Sequence, residues 1–258
     1  MDDSRALVEE LAADRTLGAA ETARAAAGLL AELPRDELAD AVEALLRGHP
    51  SMAPLWRMAD AMLRSRGHAT GTAAEKFLAT LGDDGRAASA AAAVLPDTVL
   101  TISVSSTVAE AIRIRRPGHV LCMASHPGGE GLAMAGRVSA WTETTVVDDD
   151  EAIRSLPAEV EAVVVGADAV TPGVLINKVR TRDLAQAARS RGVPCYAVAG
   201  SAKFISVALP VVPPFEATPL ELFSGIAAAD GIITPDQAAR RASRVRLHPA
   251  LAMLAERL

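Results

Sequence analysis

Short β-rich runs alternate with helical segments after Pro96, and this alternation limits the folds that the chain can adopt. The runs at residues 98–104, 120–124 and 162–165 are largely apolar or β-branched and lack period-two alternation. Strands of that kind are buried on both faces, and strands that alternate with helices form parallel sheets covered by those helices. The sequence therefore predicts an α/β fold for this part. Further runs of the same kind lie at residues 144–147, 195–199 and 207–212.

The part of the chain before these runs contains helical patterns alone. Residues 19–33 and 35–46 repeat apolar side chains at three-and-four spacing between good helix formers. The sequence therefore predicts a helical domain over residues 1–93, followed by a Rossmann-like ligand-binding domain over residues 94–258. We expect a ligand cleft between the two domains.

Composition and charge argue against several classes of protein. The chain has 26 basic and 32 acidic residues, and its net charge of -6 offers no footprint for a nucleic-acid backbone. It lacks the layout of a signal peptide and the ~20 consecutive apolar residues of a membrane span. Cys122 and Cys195 are too few for a disulfide framework and lie in apolar runs, so we predict inert core residues. We expect a cytoplasmic protein with no nucleic-acid or membrane partner, no metal and no other cofactor.

Residues 166–204 carry the most informative motif. Asp168 follows a buried strand, Asn177 and Lys178 stand at the start of a predicted helix, and Lys203 follows the next strand. Ligands bind at the carboxyl ends of parallel strands, and a partly desolvated carboxyl there can act as acid and base in turn. In the alternative interpretation Asp168 caps its own turn, Asn177 caps the helix, and the two lysines are solvated or salt-bridged at the surface.

This stretch resembles one family, together with TVLTISVSSTVAEAI and SHPGGEGLAMAG upstream and PPFEATPLELFSGIAAADGIITPDQAA downstream. The family contains the alpha, beta and delta subunits of translation initiation factor 2B, methylthioribose-1-phosphate isomerase and ribose-1,5-bisphosphate isomerase. The resemblance covers nearly the whole chain and implies a helical domain before a sheet domain of the NagB, RpiA and CoA-transferase type. It also implies a homodimer, with Asp168 at the catalytic position and Asn177, Lys178 and Lys203 in contact with the ligand.

The chain departs from the isomerases of that family at the position of their cysteine, which is Ser103 here. A thiol can be tuned into an acid or base near neutral pH, whereas a hydroxyl needs a neighbouring base to activate it. Ser103, Ser105 and Ser106 resemble the initiation-factor branch instead. This feature favours a role other than that of the isomerases.

The residues at the phosphate-anchoring positions also differ from those of the isomerases. Leu17, His49 and His126 stand where the isomerases have arginines. Either histidine can hold an anion if it is protonated, and an ordinary surface or turn role is the alternative. New cations stand at Arg180 and Arg182, and Arg180 is predicted in the first turn of a helix, where backbone amides attract anions.

The loop that follows the second strand is a further candidate for ligand contact. Gly128 and Gly129 allow backbone amides to approach a ligand, and Glu130 either orients a hydroxyl or caps the next helix. The loop matches neither a dinucleotide fingerprint nor a Walker motif, which excludes nicotinamide and ATP-hydrolysing roles. The acidic run at residues 148–150 lacks the pattern of a calcium loop and is predicted to be a solvated turn.

Two functions from different classes remain open on the sequence. The first is an aldose-ketose isomerase of a ribose-type sugar or sugar phosphate, with Asp168 as the acid-base group and Ser103 in place of the thiol. The second is a non-catalytic protein that resembles the initiation-factor subunits, binds a sugar phosphate or nucleotide, and acts through subunit contacts. The predicted ligand-binding residues are Asn177, Lys178, Arg180, Lys203, His126, Gly128, Gly129 and His49.

Overall fold

The computed structural model describes residues 2–65 and 70–258 of the chain. The first part is helical, as the apolar spacing predicts. None of the helices in these ranges has the length and apolarity that a bilayer crossing needs. The helices of this part are α1 (Asp2–Ala13), α2 (Ala19–Glu32), α3 (Arg35–Gly48), α4 (Ala53–Arg64), α5 (Thr70–Leu81) and α6 (Asp83–Ala92).

The second part alternates strands and helices and has an additional helix near the carboxyl terminus. Its strands are β1 (Thr98–Thr101), β2 (His119–Met123), β3 (Glu143–Val147), β4 (Ala162–Val165), β5 (Ala169–Val170), β6 (Val174–Lys178), β7 (Cys195–Val198), β8 (Phe215–Pro219), β9 (Gly225–Ala228) and β10 (Gly231–Ile233). Its helices are α7 (Ser106–Arg115), α8 (Glu130–Val138), α9 (Asp149–Arg154), α10 (Thr181–Ser190), α11 (Pro235–Ser243) and α12 (Pro249–Ala255).

The main sheet has the order β10-β9-β7-β4-β1-β2-β3, and its neighbouring strands are parallel except for the β9–β10 pair. This arrangement confirms the α/β fold with a mostly parallel sheet. A second, antiparallel sheet of order β5-β6-β8 lies beside it. The sequence analysis missed this small sheet, because the residues of β6 read as the start of the helix that begins at Thr181.

The predicted strand at residues 207–212 is wrong, since the segment is irregular in the structure. Its residues pair with the helical layer instead of a strand: the Ser51 hydroxyl donates to the Pro210 carbonyl (2.8 Å) and accepts from the Val212 amide (3.2 Å). The prolines here and just beyond, Pro210, Pro213 and Pro214, have no amide hydrogen to donate to a sheet ladder.

The small sheet joins the helical layer to the main sheet. Ala169 and Ile176 pack into the core of the helical layer, while their neighbours Val170 and Leu175 pack into a core of the main sheet. Helix α6 packs with α7 and the main sheet, and α12 returns to the helical core. The hydrophobic cores therefore do not divide at residue 93, although the sequence pattern changes there from helical to strand-rich.

Candidate functional site

A cavity of about 540 Å³ lies between the helical layer and the carboxyl ends of the main strands. The lining combines both parts of the chain, so the packing of the two layers creates it. In open parallel sheets this is the edge where ligands bind. The backbone segments that contribute are residues 15–21, 47–50, 103–106, 166–168 and 212–215.

Asp168 lines this cavity at the turn between β4 and β5, and main-chain bonds to both layers hold it there. Its amide donates to the Ile176 carbonyl (2.8 Å), and its carbonyl accepts from the Ala53 amide (2.9 Å) at the start of α4. Among the described residues, no hydrogen bond to the Asp168 carboxyl is formed, so it does not cap its own turn. Burial raises the pKa of this carboxyl to about 6, and the nearby Lys203 ammonium opposes part of that rise.

Two further predicted residues stand beside Asp168 in the cavity lining. Lys203 ends a short 3₁₀ turn, and only 6% of it is exposed, so the predicted alternative of a surface lysine is wrong. Asn177 is buried in β6 and does not begin a helix, which overturns its interpretation as a helix cap. The side-chain amide of Asn177 (Nδ2) donates to the Thr181 hydroxyl (3.1 Å). This hydroxyl itself donates to the Lys178 main-chain carbonyl (2.6 Å).

Lys178 reaches the cavity from the end of β6 and is paired with Glu130 at the start of α8. The Lys178 Nζ and Glu130 Oε1 atoms are 2.5 Å apart, and the lysine side chain is 4% exposed. The predicted solvated lysine is therefore wrong. The second carboxylate oxygen of Glu130 is buried and has no hydrogen-bond partner among the described residues.

Ser103 also lines the cavity, and a hydrogen bond from its amide ties its main chain to the loop after β2. Its φ of 64° lies in the left-handed region, and its amide donates to the Ser125 hydroxyl (2.7 Å). The Ser125 and His126 amides donate to the two carboxylate oxygens of Asp149 (2.8 and 2.7 Å). Asp149 is buried, so the prediction that residues 148–150 form a solvated turn is wrong at its central residue.

Four predicted ligand-binding residues do not line the cavity. Arg180 precedes helix α10 with a φ of 78°, instead of lying in its first turn, and its guanidinium pairs with Asp150 (2.6 Å). His126 and Gly128 are exposed, and Gly129 is half-buried, on the outer side of the loop that Asp149 holds. We therefore place their predicted ligand contacts outside this cavity.

His49 lines the cavity, but its surroundings oppose a positive charge. Its Nε2 donates to the Leu11 carbonyl (2.8 Å), and burial lowers the pKa of the imidazole. A neutral imidazole cannot anchor an anion through charge. The burial of His49 therefore disfavours a protonated anchor, and its predicted contact with an anion stays a prediction.

Arginines that the sequence analysis missed line the cavity at Arg15, Arg47 and Arg137. Arg15 and Arg47 stand two residues before Leu17 and His49, the positions where arginines were sought. A search that allowed a shift of two residues would have found both. Helix α2 also begins at the cavity, and the amides at a helix start attract anions. The cavity therefore suits an anionic ligand.

The cysteines take no part in this site. Cys122 and Cys195 are buried, and burial raises the pKa of both thiols to about 12. This burial confirms the prediction of core residues. Within residues 2–65 and 70–258, no group of three or more His, Cys, Asp or Glu side chains is placed to hold a metal ion.

A helical layer on a mostly parallel sheet, with a cavity at the strand ends, defines a Rossmann-like protein whose cavity lies where such folds bind their ligands. The sequence profile of the Initiation factor 2 subunit family matches residues 5–223. The chain therefore belongs to this family.

Relatives of two kinds are similar to this chain. A translation initiation factor eIF-2B subunit 2-like protein of Pyrococcus horikoshii is 30% identical over 216 residues, which are 77% of this chain and 78% of the relative. The ribose 1,5-bisphosphate isomerase of Methanocaldococcus jannaschii is 31% identical over 113 residues, 42% of this chain and 37% of that enzyme.

Solved structures of both kinds of relative are similar to this chain. The crystal structure of translation initiation factor eIF-2B from P. horikoshii has a TM-score of 0.78 at 25% identity and covers 92% of this chain and 98% of its own. The 5-methylthioribose 1-phosphate isomerase of P. horikoshii has a TM-score of 0.66 at 20% identity, covering 94% and 88%. The second likeness shows the shared fold alone.

Proposed function

We propose that this protein is an aldose-ketose isomerase acting on a ribose-type sugar phosphate. The observation that carries the proposal is the Asp168 carboxyl, which lines the cavity between the two layers and has a pKa of about 6. Both of its protonation states are populated near neutral pH, as a group that donates and accepts a proton in one cycle requires. The isomerases among the relatives supply the class of reaction.

The chemistry asks two things of this carboxyl. In its neutral form Asp168 donates a proton to the ring oxygen, the bond between C1 and that oxygen breaks, and C1 becomes an oxocarbenium carbon. The resulting carboxylate then takes the proton of the 2-hydroxyl while the C2 hydrogen moves to C1 with its electron pair, which makes the ketone at C2 and restores the neutral acid. Lys203 stabilises the carboxylate between these steps, and the Ser103 hydroxyl is available to hydrogen-bond a sugar oxygen.

The cations of the lining support a phosphorylated substrate. Arg15 and Arg47 come from the helical layer, and Arg137 and Lys203 come from the sheet side. Arginine binds phosphate in a bidentate manner, and the start of α2 adds backbone donors. These residues would hold the phosphate of the substrate.

Turnover tests the proposal directly. The protein is incubated with ribose 1-phosphate, ribose 1,5-bisphosphate and methylthioribose 1-phosphate, and ketose formation is followed by NMR. We expect a ketose from at least one of them, and a loss of at least about 10²-fold in kcat for Asp168→Asn, because an acid-base group contributes that much. The matched control is Asp236→Asn, which changes an exposed carboxyl outside the cavity.

The second candidate is a non-catalytic protein that binds a sugar phosphate or nucleotide. Ser103 favours it, because no base among the described residues is hydrogen-bonded to the serine hydroxyl to activate it. Absence of ketose from all three sugars, together with a rise in melting temperature on adding any of them, would select this candidate.

We also propose that the protein is a homodimer. Strand β3 is an edge strand with exposed residues, and Leu132 on the adjacent helix α8 is 65% exposed. Edge strands and exposed apolar side chains of this kind are commonly covered by a partner. Light scattering at micromolar concentration should give twice the chain mass of 26.7 kDa, and a monomer would contradict the proposal.

A further inference from the structure

Lys178 differs from the other cations of the cavity because a carboxylate already neutralises it inside the site. Its ammonium is 2.5 Å from Glu130 Oε1, and both residues line the cavity. On the helical side, Arg47 pairs with Glu43, whose side chain is 47% exposed, and Arg15 has no carboxylate within 4.0 Å among the described residues. An arriving anion therefore meets Arg15 without a competing carboxylate, although Arg15 donates to the Ala12 and Asp14 carbonyls, and it meets Lys178 already paired with one.

The Glu130 carboxylate is only partly satisfied by hydrogen bonds in this pair. The Oε2 atom of Glu130 is buried without a hydrogen-bond partner among the described residues, and such an atom loses its hydration without compensation. The carboxylate also lies close to the main chain at Gly128, where an added Cβ would overlap it and the Glu130 side chain would have to move. Gly128 thus contributes to the site by letting Glu130 fold back onto Lys178, although it does not line the cavity.

We propose that Glu130 is a specificity-determining residue: an internal counter-ion that competes with the ligand's anionic group for Lys178. A ligand with one phosphate can bind the arginines of the lining and leave the pair intact. A second phosphate can bind Lys178 only if it displaces Glu130 or brings two negative groups together. Glu130 therefore lowers the affinity of the cavity for sugar bisphosphates relative to monophosphates. This inference rests on the proposed function for the sugar-phosphate class of ligand.

Equilibrium binding of two probes tests the preference. Ribose 5-phosphate and ribose 1,5-bisphosphate are titrated by calorimetry into variants that all carry Asp168→Asn, so that neither sugar is consumed. With Glu130 present, we expect the monophosphate to bind at least as tightly as the bisphosphate. With Glu130→Gln, the bisphosphate should gain about tenfold in affinity over the monophosphate, since a close charge pair is freed.

Two further variants separate this effect from a general change of charge. Glu21→Gln removes a carboxylate from the same lining that is not paired with a lysine, and it should shift both affinities equally. Gly128→Ala keeps every charge but displaces the Glu130 carboxylate, and it should move the preference in the same direction as Glu130→Gln.

The outcomes distinguish this inference from the proposed function. An unchanged ratio of affinities in Glu130→Gln, or an equal change of that ratio in Glu21→Gln, would overturn the counter-ion role. A reversed preference without any ketose from variants that retain Asp168 would support the counter-ion role and reject the isomerase. The melting temperature of each variant confirms that it is folded at the titration temperature.

Discussion

Asp168 shows how a single residue joins the fold to the chemistry. Its main chain ties the β4–β5 turn to the start of α4, so its carboxyl must point where the two layers meet. Desolvation there raises the pKa from the ordinary value of 3.8 to about 6. The folded protein consequently holds this proton more tightly than the unfolded chain, and ionisation of Asp168 costs stability.

This linkage predicts a pH-dependent difference in stability between the wild type and Asp168→Asn. Below about pH 4 the carboxyl is neutral in both states and contributes no penalty. As the pH rises through about 6, the wild type loses about 1–3 kcal/mol relative to the variant, because only the wild type must ionise a buried acid. Urea denaturation of both proteins between about pH 4 and pH 8 measures the difference. A gap that stays constant with pH would contradict the raised pKa.

Helix α8 illustrates the same coupling at the scale of an element. It packs so closely on the main sheet that a Cβ at Gly131 would overlap the Met123 carbonyl oxygen of β2. The same helix supplies Glu130 and Arg137 to the cavity. The close approach of helix and strand therefore sets the depth at which these two charged side chains enter the site.

Two glycines of α8 should respond in opposite ways to alanine. Gly131→Ala forces the helix away from β2 and should lower the free energy of unfolding by about 2–4 kcal/mol. Gly136→Ala meets no atom within 4 Å, lies on the exposed face, and should raise it by about 0.5–1 kcal/mol because alanine favours the helix. Denaturant titrations of both variants measure these changes. Equal effects at the two positions would mean that the helix does not contact the strand as described.

What could be predicted from the sequence follows the elements that periodicity reveals. The parallel strands could be predicted, because buried strands are runs of apolar and β-branched residues. The positions of Asp168 and Lys203 after two of these strands followed from them. The three-stranded sheet could not be predicted, since β6 runs directly into the turn before α10 and its last residues read as the start of that helix. Arg15 and Arg47 were missed for another reason: they stand two residues before the positions that the resemblance indicates, and Arg15 lies in the loop between α1 and α2. The predicted place of Arg180 in the first helical turn was wrong because the neighbouring residues do not indicate its left-handed backbone.

At the scale of the whole molecule, the small sheet joins the cores of the two layers, so the layers should unfold together. Successive residues of β6 pack into different cores, with Ile176 in the helical one and Leu175 in the other. Main-chain and side-chain hydrogen bonds cross between the layers at Ala53 and Ser51. Loss of either layer would expose the small sheet, so neither has a complete core by itself.

The two tryptophans of the chain allow a test, because they report on different layers. Trp56 is fully buried in the helical core, and Trp141 packs beside the main sheet. The Trp141→Phe variant keeps Trp56 as its single tryptophan, and the Trp56→Phe variant keeps Trp141. Within each variant, fluorescence and far-UV circular dichroism should give the same urea midpoint, as a two-state transition requires.

A core substitution at the shared sheet sharpens this test. Ile176→Ala removes packing from the helical core and should lower the free energy of unfolding by about 2–5 kcal/mol. If the layers are coupled, its fluorescence midpoint falls by the same amount whether Trp56 or Trp141 is the probe, each measured against its own single-tryptophan parent. A shift seen by Trp56 alone would show that the helical layer unfolds separately. The cavity between the layers would then open before the main sheet unfolds, and a bound sugar phosphate would raise the Trp56 transition but leave the Trp141 transition unchanged.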